Sequence, residues 1–210
     1  GKRMVLIQMP VNPGTGFDTF IDVLTNKCYH FKDENGTREE MPIPDELADE
    51  VAQMRQNMME VAAEGTEELM EIFFEKGELT IDQMRAGLSA GIAAGTAYPV
   101  FCLSAKRDIG VKRLMEFIIN VVPAPSKKEA KLKNGGTVKF DASAPTSLFV
   151  FKTAQEQHLG DVTYFKVITG TLKEGDDLIN PETGNKERIS AIYAVAGKKR
   201  EKVSEVHAGD

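Results

Sequence analysis

The sequence predicts a chain of two classes, an α+β/α/β half followed by a β-rich half. Three observations predict it. Residues 45–95 repeat apolar side chains at three- and four-residue steps, the period of amphipathic helices. Residues 98–123 read as a buried strand, a loop and a helix, which is one α/β unit. After residue 146 the chain turns to short strands separated by turn signals, the pattern of a small β-barrel or sandwich.

Residues 4–9, Met-Val-Leu-Ile-Gln-Met, read as one buried strand, and residues 10–16 as a loop. Residues 18–31 set Phe20, Asp22 and Leu24 against Ile21 and Val23, which predicts a second strand. Asp33-Glu34-Asn35-Gly36 is turn chemistry, and Pro42 and Pro44 end the extended region. A long helix opens at Asp45, with Leu47, Val51, Met54, Met58, Val61 and Ala62 on its apolar face. Gly65-Thr66 is where it bends or breaks, and Gly77 stops it. Thr80 with Gln83 three residues on is a capping-box signature, with Leu79 and Met84 placed to staple it, so another helix runs from about Ile81 to Gly95. Gly87, Gly91 and Gly95 fall four apart, a smooth stripe for close backbone approach. Val111, Leu114, Met115, Ile118 and Val122 form the last helix, ending at Pro123. Residues 124–146 read as a linker. Strands follow at 147–153, 162–169, 177–180 and 188–196, with turns at His158-Leu159-Gly160-Asp161, Lys173-Glu174-Gly175-Asp176, Pro181-Glu182-Thr183-Gly184 and Gly197-Lys198.

The composition, 41% hydrophobic and 28% charged over 210 residues, is that of a soluble globular chain. It excludes fibrous and low-complexity classes. The net charge of −6 hides an asymmetry. Residues 1–123 carry 12 basic against 20 acidic side chains, and residues 124–210 carry 14 against 12. The acidic half repels phosphate, so it does not lie along nucleic acid. Cys28 and Cys102 are read as free thiols of a reducing, cytoplasmic compartment. Residues 86–105 hold no charge, but their three Gly, Tyr98-Pro99 and many small residues argue against a membrane span.

No hydrolytic, redox or metal constellation stands out. His30, His158 and His207 are isolated, and Ser104 lacks a G-x-S-x-G context. Gly14-Thr15-Gly16 is a lone G-x-G without the lysine and hydroxyl that a phosphate loop needs. Asp33-Glu34-Asn35-Gly36 reads as a turn rather than a D-x-x-G switch, and Asn26-Lys27 has Tyr29 where a base-pairing Asp would stand. One loop remains: Ser104-Ala105-Lys106, after a hydrophobic strand and before a helix. It resembles the fifth motif of GTP-binding proteins, in which the Ala amide donates to the guanine carbonyl, Ser orders the turn and the next side chain lies along the base.

The order of the pieces resembles bacterial elongation factor G, or an elongation factor G-like translational GTPase, along essentially the whole chain. The opening strand, Val61-Ala62-Ala63-Glu64, Glu67-Glu68-Leu69-Met70 and the helix capped at Thr80 are similar to the subdomain inserted in its G domain. Residues 99–111 and Val122-Pro123-Ala124-Pro125 look like the last strand, guanine loop and final helix of that domain. Residues 159–167, Gly170, Gly175-Asp176, Lys199-Arg200 and Ala208-Gly209-Asp210 resemble the second domain, a translation-factor β-barrel. Family members commonly have Gly before Ser-Ala and an apolar residue after it, where this chain has Leu103 and Lys106.

The resemblance implies an inserted subdomain over 1–97, the end of a P-loop-type G domain over 98–123, a linker over 124–146 and a truncated β-barrel over 147–210. It implies an internal piece of a ribosome-dependent GTPase that promotes tRNA and mRNA translocation. Ser104, Ala105 and Lys106 would form the guanine loop of the parent. Lys198, Lys199, Arg200 and Lys202 would touch small-subunit rRNA, and the acidic subdomain would meet the ribosomal stalk protein. GTP or GDP with magnesium would be bound by the full-length parent, and none tightly by these residues alone, since P-loop and switches are missing. No catalytic residue, resident metal, DNA or membrane partner is expected. The alternatives are a stand-alone protein or RNA interaction module, a ribosome-protection or recycling GTPase paralogue, and an unrelated enzyme with a deep polar pocket.

Overall fold

The computed structural model describes residues 3–125, 129–132, 135–156 and 160–210. The chain divides into two units, Gly1–Pro123 and Ala124–Asp210.

The first unit runs β1 (Arg3–Leu6), β2 (Gln8–Pro10), β3 (Thr19–Asp22), β4 (Lys27–Phe31), β5 (Arg38–Met41), a 3-10 turn at Asp45–Leu47, α1 (Ala48–Ala63), α2 (Glu67–Lys76), α3 (Ile81–Ala94), β6 (Ala97–Val100) and α4 (Val111–Val121). β1 pairs with β6 in parallel, Val5 opposite Pro99, and β2 to β5 form an antiparallel sheet in sequence order. The strand predicted over 4–9 is therefore two. Its division has a hydrogen-bonding cause: the Ile7 amide still donates to Val100, while the Ile7 carbonyl already accepts from Val23. The chain changes sheets there.

The single strand expected over 18–31 is a hairpin. Asp22 Oδ1 accepts the Thr25 amide at 2.9 Å, and Asn26 takes a left-handed φ of 56°, so the chain reverses between β3 and β4. β3 is buried on both faces. Ile21 joins the main core with Val51, Met58, Leu88 and Phe117, while Phe20 packs the other way with Phe31 and Ile109.

The helices follow their sequence signals. α1 stops before Gly65, and the Thr66 hydroxyl caps α2 by accepting the Leu69 amide. Gly77 ends α2 with φ at 73°. Thr80 and Gln83 exchange both bonds of the capping box, and Leu79 and Met84 are both buried beside them. The glycine stripe of α3 is split in role. Gly87 lies against the backbone of Ala62, Gly91 faces the returning chain at Ala97, and Gly95 is the left-handed C-cap. No helix among the described residues is long and apolar enough to cross a membrane; the uncharged run over 86–105 is divided between α3, β6 and a loop.

The second unit is β-rich: β7 (Glu129–Lys131), β8 (Thr137–Lys139), β9 (Ser147–Glu156), β10 (Gly160–Thr169), β11 (Thr171–Lys173), β12 (Asp177–Ile179), β13 (Lys186–Arg188), β14 (Ile192–Ala196), β15 (Lys199–Val203) and β16 (Glu205–His207). Val167, Leu172 and Ile192 are its innermost side chains. Three expectations change here. The stretch read as a linker carries the β7–β8 hairpin. The strand expected over 188–196 is broken into β13 and β14, because Gly175 and Asp176 bond to Ile189 between them. Among the described residues the strands form five two-stranded ladders, not a closed barrel; closure needs partners on both sides of every strand. Residues 158 and 159 of the first expected turn lie outside the described residues, and Gly160 and Asp161 already belong to β10.

Candidate functional site

The turn after β6 is built by a short backbone closure. Ser104 and Ile109 exchange both amide bonds, at 2.9 and 3.0 Å, and the Asp108 amide donates to the Ala105 carbonyl at 3.4 Å. Four residues are thereby looped out. Asp108 reverses the chain with φ at 52°, and Gly110, with φ at 75°, starts α4. A side chain at Gly110 would press on the Cys102 carbonyl and on Phe20, so glycine is required twice over. The sequence-predicted residues occupy this turn together: Ser104 is half-buried, and Ala105 and Lys106 are exposed. The Ala105 N–H has no acceptor among the described residues. An amide without an acceptor, next to a hydroxyl, can donate to one carbonyl oxygen of a ligand.

The neighbouring thiol takes no part. Burial pushes the Cys102 pKa up to about 11, and both cysteines are free. Among the described residues no group of three or more His, Cys, Asp or Glu side chains could hold a metal ion. A groove of about 360 Å³ beside α1 is lined by apolar side chains of β1 and α1 together with Arg3, Asn57 and Glu60.

Sequence reasoning missed Arg107. Its Nη1 donates to the Phe17 carbonyl at 2.7 Å, and its Nε lies 3.5 Å from Glu34. Nothing local announces this bond, because its acceptor stands 90 residues earlier in the chain.

The four basic residues of the second unit fall on the β14–β15 hairpin. Lys198 sits in its turn, and Lys199, Arg200 and Lys202 on β15. They are not equivalent. Arg200 is bonded to Glu156, which also accepts the Tyr164 hydroxyl at 2.9 Å, and Lys202 reaches Glu174 at 2.8 Å. The side chains of Lys198 and Lys199 have no ion pair among the described residues. The Arg200 bond, then the Tyr164 bond, hold the Glu156 carboxyl below its ordinary value near 4.5. A carboxylate lowered on folding contributes stability above its unfolded value, and that contribution is lost as the pH falls through the folded one. The tie between β9 and β15 is therefore expected to hold at neutral pH and to loosen only below the usual glutamate range. A carbon-detected NMR titration of the Glu156 carboxyl checks this; a midpoint at or above that of exposed glutamates refutes it.

The two units also have counterparts among known proteins. Residues 145–210 match the family model of elongation factor G domain 2. A crystal structure of a protein from Thermus thermophilus is similar over 98% of this chain, with a TM-score of 0.78 and 29% identity. Residues 145–210 are of elongation factor G domain 2 type. The chain spans 29% of the length of that Thermus chain. The domain 2 match thus falls within the β-rich unit, and the helical unit lies within the same structural match.

Proposed function

We propose that this chain acts within a ribosome-dependent GTPase of translation elongation, the factor that moves tRNA and mRNA. The observation that carries the reading is the match of residues 145–210 to elongation factor G domain 2 behind a strand, turn and helix whose turn presents the Ala105 N–H. In this reading Ser104 orders the turn, Ala105 donates to the guanine carbonyl and the Lys106 stem covers the base. Met115, Ile118, Ile119 and Val122 support it from the other side of α4. Met115, Ile118 and Ile119 are exposed at positions i, i+3 and i+4 of α4 and Val122 just past its end, a patch that a further layer of an α/β domain would cover. GTP or GDP with magnesium is the ligand of the whole protein. The second unit meets small-subunit rRNA through Lys198 and Lys199, whose charges meet no carboxylate among the described residues, with Arg200 and Lys202 shaping the hairpin. The acidic helices α1 and α2 meet a basic face of the ribosomal stalk protein. The protein works in the cytoplasm.

Calorimetric titration of the protein that carries this chain tests the guanine reading. Ala105→Pro removes the donor, and a loss of roughly three- to tenfold in GDP affinity is expected, the worth of one hydrogen bond. ADP, which has no carbonyl at that position, is expected to bind weakly to both proteins. Unchanged GDP affinity in a folded Ala105→Pro variant overturns the reading.

A further inference from the structure

We infer that the four-stranded sheet β2 to β5 positions the base-facing turn, with Arg107 as the positioning residue that connects them. The inference rests on the guanine reading of residues 104–106 and adds what holds and tunes that turn. Its own two backbone bonds, between Ser104 and Ile109, close the turn but leave its inclination free. Four successive residues supply the rest. Arg107 donates to the Phe17 carbonyl, with Glu34 on its other side. Asp108 packs against Gly36, where an added Cβ would come within 2.9 Å of Asp108 Oδ2. Ile109 is fully buried between Phe20 and Phe31. Gly110 stands against Phe20. Every one of these contacts is to the inserted sheet and its loops.

The acceptor is itself built. Asn12 donates to the Gly16 carbonyl at 2.9 Å and to Asp18 at 3.0 Å, and its Oδ1 accepts the Thr19 amide at 3.1 Å. Gly14, at φ 106°, lets the Phe17 amide return to its carbonyl. The Gly14-Thr15-Gly16 stretch is held by these bonds and leads into the Phe17 carbonyl that accepts from Arg107. The Asn12 bonds to Gly16 and Asp18 flank Phe17, whose carbonyl takes the guanidinium of Arg107, two residues along the chain from Ala105. A partner that shifts the β2–β3 or β4–β5 loop therefore shifts the Ala105 donor, and base affinity becomes a readout of what those loops touch.

The test uses the protein that carries this chain. Arg107→Met keeps the aliphatic stem and removes the donors. It is expected to weaken GDP and IDP by the same factor, roughly three- to tenfold, because both bases present the carbonyl that Ala105 faces. Arg107→Lys, which restores one donor, is expected to recover most of the loss, and rescue is a result that general loosening of the fold does not produce. Glu34→Gln, at a 72% exposed side chain, tests the contact without touching the turn and is expected to cost roughly twofold. Wild-type GDP affinity in both Arg107→Met and Glu34→Gln, with affinity lost in Ala105→Pro, overturns the positioning role and leaves the guanine turn standing. Affinity unchanged in all three overturns the guanine reading and the inference with it.

Discussion

Arg113→Ala is expected to lower the stability of the first unit by about 3–5 kcal/mol, the cost of leaving one member of a buried ion pair alone. Arg113 is 6% exposed and Asp22 not at all. The guanidinium bonds the Asp22 carboxylate, whose other oxygen is held by the Thr25 amide. Arg55 crosses to the same turn and donates to the Val23 and Leu24 carbonyls at 2.8 and 2.6 Å. Burial lowers the Arg55 pKa, and the Asp22 charge offsets part of that. One carboxylate thus sits among two cations and an amide. Removing Arg113 strips its main partner and exposes the α4 attachment, since Phe117 and Val121 follow Arg113 on the same inward stripe. The double variant Asp22→Asn with Arg113→Leu removes both charges while keeping an acceptor for Thr25, and it is expected to recover more than half of the loss. Urea unfolding followed by helical circular dichroism measures this, because the four helices all belong to the first unit. A loss below about 1 kcal/mol for Arg113→Ala would show that the pair is no more than a surface-grade contact.

That pair also marks the limit of what the chain reveals in one dimension. Local chemistry was legible: the Thr80 capping box, the Gly77 stop, the Asp33 turn and the end of α4 each depend on residues within a few positions. The pairing of Arg113 with Asp22 was not, because the two stand 91 residues apart and nothing local joins them. What was hidden depends on pairing. Ile7 divides a uniform apolar run because its amide and carbonyl serve different sheets. β7 and β8 are three residues each and exist by virtue of their partners, so they fell into the stretch read as linker. In the site, the tripeptide at 104–106 was visible from its flanks. Arg107 was not, because what it holds is a carbonyl with no side-chain signature.

The second large effect is expected at Gly87. An ideal Cβ there would lie 2.0 Å from the Ala62 carbonyl oxygen, and one at Gly65 would lie 2.4 Å from the Gly87 carbonyl oxygen. α1 and α3 therefore meet backbone to backbone, and neither obstacle is a flexible side-chain end. Gly87→Ala must push the helices apart across Met58, Val61, Met84 and Leu88, all buried in the same core. Overpacking of that kind costs about 3 kcal/mol or more, while alanine returns only about 1 kcal/mol of helix propensity. Gly91→Ala meets the Ala97 methyl group at 2.9 Å, a side-chain atom at the start of β6 rather than a backbone, so a smaller loss is expected. Gly77→Ala meets nothing within 4 Å and bears only the left-handed φ of 73°, about 1–2 kcal/mol. The order of loss is thus Gly87, then Gly91, then Gly77, measured as urea midpoints of the helical signal. A Gly87→Ala variant as stable as the parent protein would mean that α1 and α3 stand farther apart than a bare backbone contact.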